Sequence, residues 1–269
     1  MIIESVHIQN FKGIKDCNIK LNSKFNVIKG CNGKGKTSIL EAITVSLGGF
    51  ISGLEGVDTR HFSQRELRKF YERSGDGACT VHYELPIEVS LSVQLSDEKL
   101  SWKRTRNSVK ASRTTVKPRE IANRAWIMSN NLQTVLPILS YQGASRMWEQ
   151  KREKSKDLFS RKKYLRTIGY TDSLLEASNI KLLINWCIKM EQVSWQKNIK
   201  IMEYEAVKQV VAVFMSYMNK GTSYEVFYDR QIDELMCQEN DSVIPISSLS
   251  AGYQSLIWMV FDIAYRMAV

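Results

Sequence analysis

A chain of 269 residues that is 43% hydrophobic and 25% charged can bury a substantial core, which excludes a disordered chain and fits one large domain or one domain with an insertion. Its net charge of +10 favours phosphate-rich partners but says nothing about fold. With no apolar run of about 18 residues, no C-x-x-C pair among the cysteines at 17, 31, 79, 187 and 237, and only three scattered histidines, neither a membrane helix nor a zinc site is expected; reduced thiols in a cytoplasmic protein are.

The opening Met1-Ile2-Ile3-Glu4 lacks a basic stretch followed by an apolar one, so no export signal is expected. Residues 2–8 read as a strand with Val6 and Ile8 on one face, and residues 18–21 as a second extended run after a turn at 11–14. Residues 25–28 form a short apolar strand leading into a glycine-rich loop. A helix then starts at Thr37 or Ser38, with Ile39, Leu40, Ile43 and Leu47 at helical spacing, and Gly48-Gly49 ends or bends it. Alternation across residues 78–105 gives two or three antiparallel strands, and residues 136–141 another buried strand. Residues 146–219 read as helical, 224–228 and 235–236 as strands, and 253–267 as a last helix. The order of elements predicts an α/β head with a mixed sheet and a helical insertion, divided as 1–145, 146–220 and 221–269.

Residues 30–37, Gly-Cys-Asn-Gly-Lys-Gly-Lys-Thr, fit G-x-x-x-x-G-K-[ST] at every fixed position. Glycines let the backbone wrap phosphate oxygens, and successive N–H groups at a helix start face negative charge. Lys36 then reaches the β- and γ-phosphates and the Thr37 hydroxyl takes a place on Mg²⁺, so ATP with Mg²⁺ is the expected ligand, with Asn32, Gly33, Gly35 and Ser38 completing the cradle. A thiol at Cys31 in this loop is open to oxidation, or is simply a small residue that fits.

Residues 249–254 read L-S-x-G-x-Q at the start of the last helix; Ser250 is a good N-cap and Gly252 leaves backbone N–H groups open. Together with residues 30–37, and with the opening I-x-N-F-K-G-I at 8–14, this pair resembles the ABC-type ATPase heads of the Rad50, RecF and SMC group. Residues 1–70, 136–148, the surroundings of Trp186 and 245–267 are similar to the small AAA-type ATPases of bacterial anti-phage defence, the Septu-type and retron-associated ones. The resemblance implies that Lys36 and Thr37 hold the triphosphate and Mg²⁺. It assigns Gln142 to Mg²⁺ and the attacking water, Ser250 and Gly252 to the γ-phosphate held by a second copy, and Lys12 to a place near the nucleotide. It further implies a head-to-tail homodimer or higher oligomer, partnered with an HNH-type nuclease, a reverse transcriptase with its nucleic acid, or both. Such ATPases also use an apolar strand ending in Asp-Glu, then a histidine; this is expected beyond Val269, so the chain alone is expected to lack its hydrolytic base.

Two basic stretches stand out. Residues 102–119 hold seven Lys or Arg and no acid, and residues 146–166 hold nine against three acids, with Trp148, Phe159 and Tyr164 interleaved. They suit DNA or RNA contact, a solvated helical face, or an acidic protein partner. The rival functions are a nucleotide-gated scaffold with little turnover and a repair clamp of RecF or Rad50 type. A block at 146–219 is short for long coiled-coil arms, and a P-loop kinase leaves residues 249–254 unexplained.

Overall fold

The computed structural model describes residues 1–73, 79–143, 166–176 and 179–269. The chain divides into two compact units, Met1–Pro137 and Ile138–Val269.

In the first unit, β1 (Ile2–Phe11) turns at residues 12–13 into β2 (Ile14–Lys20), and α1 (Lys36–Ile51) follows the glycine-rich loop. Next come a small hairpin of β3 (Lys69–Arg73) and β4 (Cys79–Tyr83), the strands β5 (Ile87–Leu95), β6 (Glu98–Arg106) and β7 (Thr115–Lys117), and α2 (Glu120–Asn130). The main sheet has the order β2-β1-β5-β6-β7, and β3-β4 stand apart from it. Strict alternation makes β5 a half-buried strand: Ile87, Val89, Leu91, Val93 and Leu95 point inward under α1, while the serines between them point outward. Val6 and Ile8 of β1 join the same core.

The glycine pair of α1 neither ends nor bends the helix, which runs on to Ile51. Without side chains at 48 and 49, the carbonyls one turn earlier are bare, and β6 uses them. Trp102 Nε1 donates to Ser46 O at 2.8 Å and Arg104 Nη1 to Val45 O at 2.8 Å. A Cβ at Gly48 would lie 2.2 Å from Arg104 Nη1, and one at Gly49 2.5 Å from Trp102 Nε1. The pair is therefore a docking notch that presses α1 onto the sheet.

The second unit holds α3 (Ile180–Lys197), α4 (Met202–Met218), a three-stranded sheet of order β10-β9-β8, and α5 (Ala251–Ala268); its strands are β8 (Tyr224–Asp229), β9 (Glu234–Glu239) and β10 (Ser242–Pro245). Trp186 is the centre of its core, 1% exposed, with edge contacts to Tyr204, Tyr265 and Phe261 at ring distances of 5.5, 5.1 and 6.5 Å. Residues of α3, α4, β8, β9 and α5 share that core, so the boundary expected at 220 joins two parts of one packed body.

The α/β class stands, with every strand pair among the described residues antiparallel. The two apolar runs expected as strands, 25–28 and 136–141, are not in strands; Phe25 is 80% and Val27 75% exposed. An apolar run becomes a buried strand only when neighbours take up its backbone groups on both sides, and no strand among the described residues pairs with either. The helix α2 was not anticipated, although Ile121, Ala125 and Met128 bury one helical face. No described helix is long and apolar enough to cross a membrane, and all five cysteines are free thiols.

Candidate functional site

The loop at residues 30–37 bends through two left-handed glycines, Gly33 at φ 79° and Gly35 at φ 84°, a region that a Cβ makes costly. Nothing lies within 4 Å of a Cβ built on Gly33, and only Ile14 Cγ1, at 3.9 Å, is near one on Gly35. The backbone is thus open on the side a ligand would approach. Gly35 is the N-cap of α1, and the first N–H groups of that helix have no intrahelical acceptor.

Gly13, Ile14 and residues 32–38 line a cavity of about 620 Å³. Its lining carries Lys34 and Lys36 and no acid. Lys36 Nζ folds onto the loop and donates to Gly30 O at 2.7 Å and Cys31 O at 2.9 Å, in an exposed position. Thr37 and Ser38 stand in the first turn of α1, and Asn32 just before Gly33. Lys12 has φ 49° in the opening turn, whose Gly13 and Ile14 border the cavity, but its ammonium is ion-paired with Glu41 of α1. Glu41 is a residue that motif reading passes over.

The remaining predicted residues belong to the second unit. Ser250 is the N-cap of α5, yet its hydroxyl makes no cap hydrogen bond and the residue is exposed, as is Gly252. The capping role read from the sequence is corrected: the turn is braced instead by Gln254, whose Nε2 donates to Ser247 O at 2.8 Å and Leu249 O at 2.7 Å. Tyr253 adds a bond from its hydroxyl to Asn219 Oδ1 at 2.5 Å, tying the helix start to the end of α4. Both arrangements leave the Ser250 hydroxyl and the Gly252 backbone facing outward. Gln142 lies beside α5, its Nε2 donating to Ser140 Oγ at 2.7 Å and to Asp262 Oδ2 at 3.1 Å.

The basic stretch 102–119 is only partly a surface. Arg104 and Arg106 are 1% and 6% exposed, and spend their guanidinium groups on the carbonyls of Val45, Arg60, Phe62, Ser108 and Val109. Lys103 is paired with Glu88 at 3.0 Å. Of the seven cations, Lys110, Arg113, Lys117 and Arg119 face water without these ties. The strand period explains this: every second residue of β6 turns inward regardless of charge. Burial lowers the Arg104 pKa to about 10, and burial together with Arg104 and Arg113 lowers that of His61, whose Nδ1 meets Arg104 Nη2 at 3.0 Å and Thr114 N at 3.2 Å. Residues 146–165 of the second basic stretch lie outside the described residues.

A family model described as an AAA domain matches residues 5–210. The DNA replication and repair protein RecF of Vibrio cholerae is 51% identical over 43 residues, 16% of this chain and 12% of the relative. The RecF of Porphyromonas gingivalis is 32% identical over 104 residues, 37% of this chain and 26% of the relative. The matched segment thus spans no more than about a quarter of either relative's length. Among solved structures, the SMC head domain from Thermotoga maritima aligns with 98% of this chain and 72% of that one, at 13% identity and a TM-score of 0.44. With the family model spanning residues 5–210, the chain belongs to the AAA domain family of P-loop ATPases.

Proposed function

We propose that this chain supplies the ATP-binding part of an ATP-hydrolysing head of the SMC and RecF type that forms head-to-tail dimers around ATP. One observation carries the nucleotide reading: an acid-free cavity of about 620 Å³ lined by two left-handed glycines, the open start of α1 and Lys36. The residues fit ATP with Mg²⁺. Gly33 and Gly35 leave room where a Cβ would stand, Lys36 turns from Gly30 and Cys31 to phosphate oxygens, and the α1 N–H groups meet the same charge. Thr37 is the hydroxyl for Mg²⁺, with Asn32 and Ser38 flanking, and Lys12 supports the loop through Glu41. Bound Mg²⁺ neutralises charge that develops on the phosphates.

The trans arrangement is supported by the outward-facing Ser250 and Gly252 at an uncapped helix start, which is suited to a second copy's γ-phosphate. Gln142 is assigned to Mg²⁺ and the attacking water by sequence likeness. The same likeness suggests an antiviral defence complex in which the ATPase holds or gates an HNH-type nuclease or a nucleic-acid sensor such as a reverse transcriptase with its nucleic acid.

Light scattering with and without ATP·Mg²⁺ tests the dimer. The expected result is a doubling of mass with ATP, lost in Lys36→Ala at ATP concentrations that no longer fill its weakened site, and lost in Ser250→Ala although ATP still binds. Normal ATP-driven dimerisation of Ser250→Ala would sink the trans arrangement. ATP-dependent assembly with a partner but no turnover would favour a scaffold.

A further inference from the structure

The helix α4 is apolar on two faces. One face, with Tyr204, Val207, Val211 and Met215, is buried in the core of the second unit. The other is left uncovered by the described residues: Val210 is 48%, Val213 61% and Tyr217 84% exposed, and Ala206 is exposed as well. Spacings of four, three and four residues set these four side chains in one stripe. Beside the first half of the stripe, α4 and α5 flank a groove of about 310 Å³ lined by apolar residues alone, Ala206, Val210, Ala264 and Ala268 among them. A helix that is hydrophobic all round is a buried helix, so the stripe calls for a partner.

The stripe is complementary to itself. A two-fold axis crossing α4 between Val211 and Ala212 runs two copies antiparallel, and it sets Ala206 opposite Tyr217 and Val210 opposite Val213, each pair twice. Ala206 and Tyr217 lie equally far, about 8 Å, to either side of that axis. The largest side chain of the stripe on one copy thus meets the smallest on the other, at the groove that α5 helps to wall. The same axis brings Glu203, exposed at the start of α4, to Lys220, exposed just past its end. The only charges between those two, Glu205 and Lys208, are paired with each other at 2.8 Å. In a chain of net charge +10 the stripe is therefore neutral along its length and closed by opposite charges at its two ends.

We propose that α4 is a self-association surface: a second copy packs on it antiparallel, about a two-fold axis, and buries Tyr217 in the groove beside Ala206. This contact lies within the second unit, needs no nucleotide and is separate from the ATP-dependent pairing above. A shallow crossing of the two helices keeps both ends in touch. One helix pair buries less than a standard interface, so the association belongs at the weak end, filling at high protein concentration and absent from the dilute chain.

The test is sedimentation velocity of the full chain without nucleotide, at low salt and over a range of protein concentrations. The parent should pass from monomer to dimer as concentration rises. Tyr217→Ala changes a side chain that is 84% exposed, so the fold should hold, as thermal unfolding would show. It should raise the dimer Kd about a hundredfold or more, because a two-fold contact is lost twice. Glu203→Lys and Lys220→Glu should each weaken pairing several-fold. An equal mixture of those two variants should pair again, since every reversed end then meets the opposite charge on the other chain. A parent that stays monomeric at the highest concentration overturns the proposal and gives the stripe to a different protein. Dimers that persist in Tyr217→Ala, or charge variants that the mixture does not rescue, overturn the antiparallel pairing on α4.

Discussion

A single methyl group at Gly48 should destabilise the first unit, against the ordinary rule for helices. Ala in place of Gly inside an exposed helix gains about 1 kcal/mol. Here the added Cβ would stand 2.2 Å from Arg104 Nη1 and 3.3 Å from Arg60 O. That nitrogen donates to Val45 O at 2.8 Å and to Arg60 O at 2.7 Å, and the guanidinium is almost fully enclosed, so it has no free volume into which to swing. Displacing it forfeits two hydrogen bonds to a charged donor, each worth about 1.5–3 kcal/mol. Set against the helix gain, the net loss is about 2–5 kcal/mol, or on the order of 10 °C in melting temperature for a unit of this size. Urea and thermal unfolding of Gly48→Ala measure it. Removing the guanidinium removes the clash, so in an Arg104→Leu background the same alanine should cost little. A melting temperature that holds or rises in Gly48→Ala would refute the account of Arg104 as a locked side chain.

At Gly53 a Cβ would lie 1.9 Å from Ala122 O, a backbone atom that cannot yield; Gly53→Ala should therefore cost at least about 2–4 kcal/mol by denaturant unfolding, through separation of α1 from α2. The His61 pKa is lowered from 6.5 in the folded state, so below about that pH the unfolded chain binds the proton first; stability should be full above the ordinary value and fall as pH drops through the lowered one. Unfolding midpoints at about pH 7.5 and 5.5 check the sign, and His61→Gln should flatten this slope. Lys36→Ala should weaken ATP binding by about 10- to 100-fold, read by calorimetry, with little change in melting temperature because its present bonds to Gly30 and Cys31 carbonyls are exposed.

Elements whose signal is local were legible. The alternation of β5, the helical spacing of α5 and the phosphate loop each carry their pattern within about a dozen residues. What was not legible depends on distant partners. Gly48-Gly49 reads as a helix breaker until Trp102 and Arg104, more than fifty positions later, are seen to occupy the notch. Residues 25–28 read as a buried strand because composition alone cannot say whether neighbours exist. The cations of 102–119 read as a surface because a charge count ignores the pleat. Asp262 bonds Gln142 across 120 positions, and its only local trace is an Asp-Arg pair one turn apart in an otherwise uncharged helix.

The glycines at 48 and 252 separate folding from function on one chemical change. Both lie in helices, and each would gain a methyl group on substitution by alanine. At Gly48 that methyl meets a buried guanidinium, whereas at Gly252 nothing lies within 4 Å. Gly252→Ala should accordingly leave the second unit as stable, or up to about 1 kcal/mol more so, by thermal unfolding. The fold therefore gives no reason for a glycine there. A reason arises if the start of α5 must come within hydrogen-bond reach of a phosphate, because a Cβ beside the N–H groups holds such a ligand away. The expected outcome is an intact, ATP-binding monomer with weakened ATP-driven dimerisation, read by light scattering across protein concentrations. A Gly252→Ala chain that dimerises with ATP as readily as the parent would show that the open helix start is not a phosphate contact, and the role of residues 249–254 would have to be sought in bracing the turn through Gln254 and Tyr253.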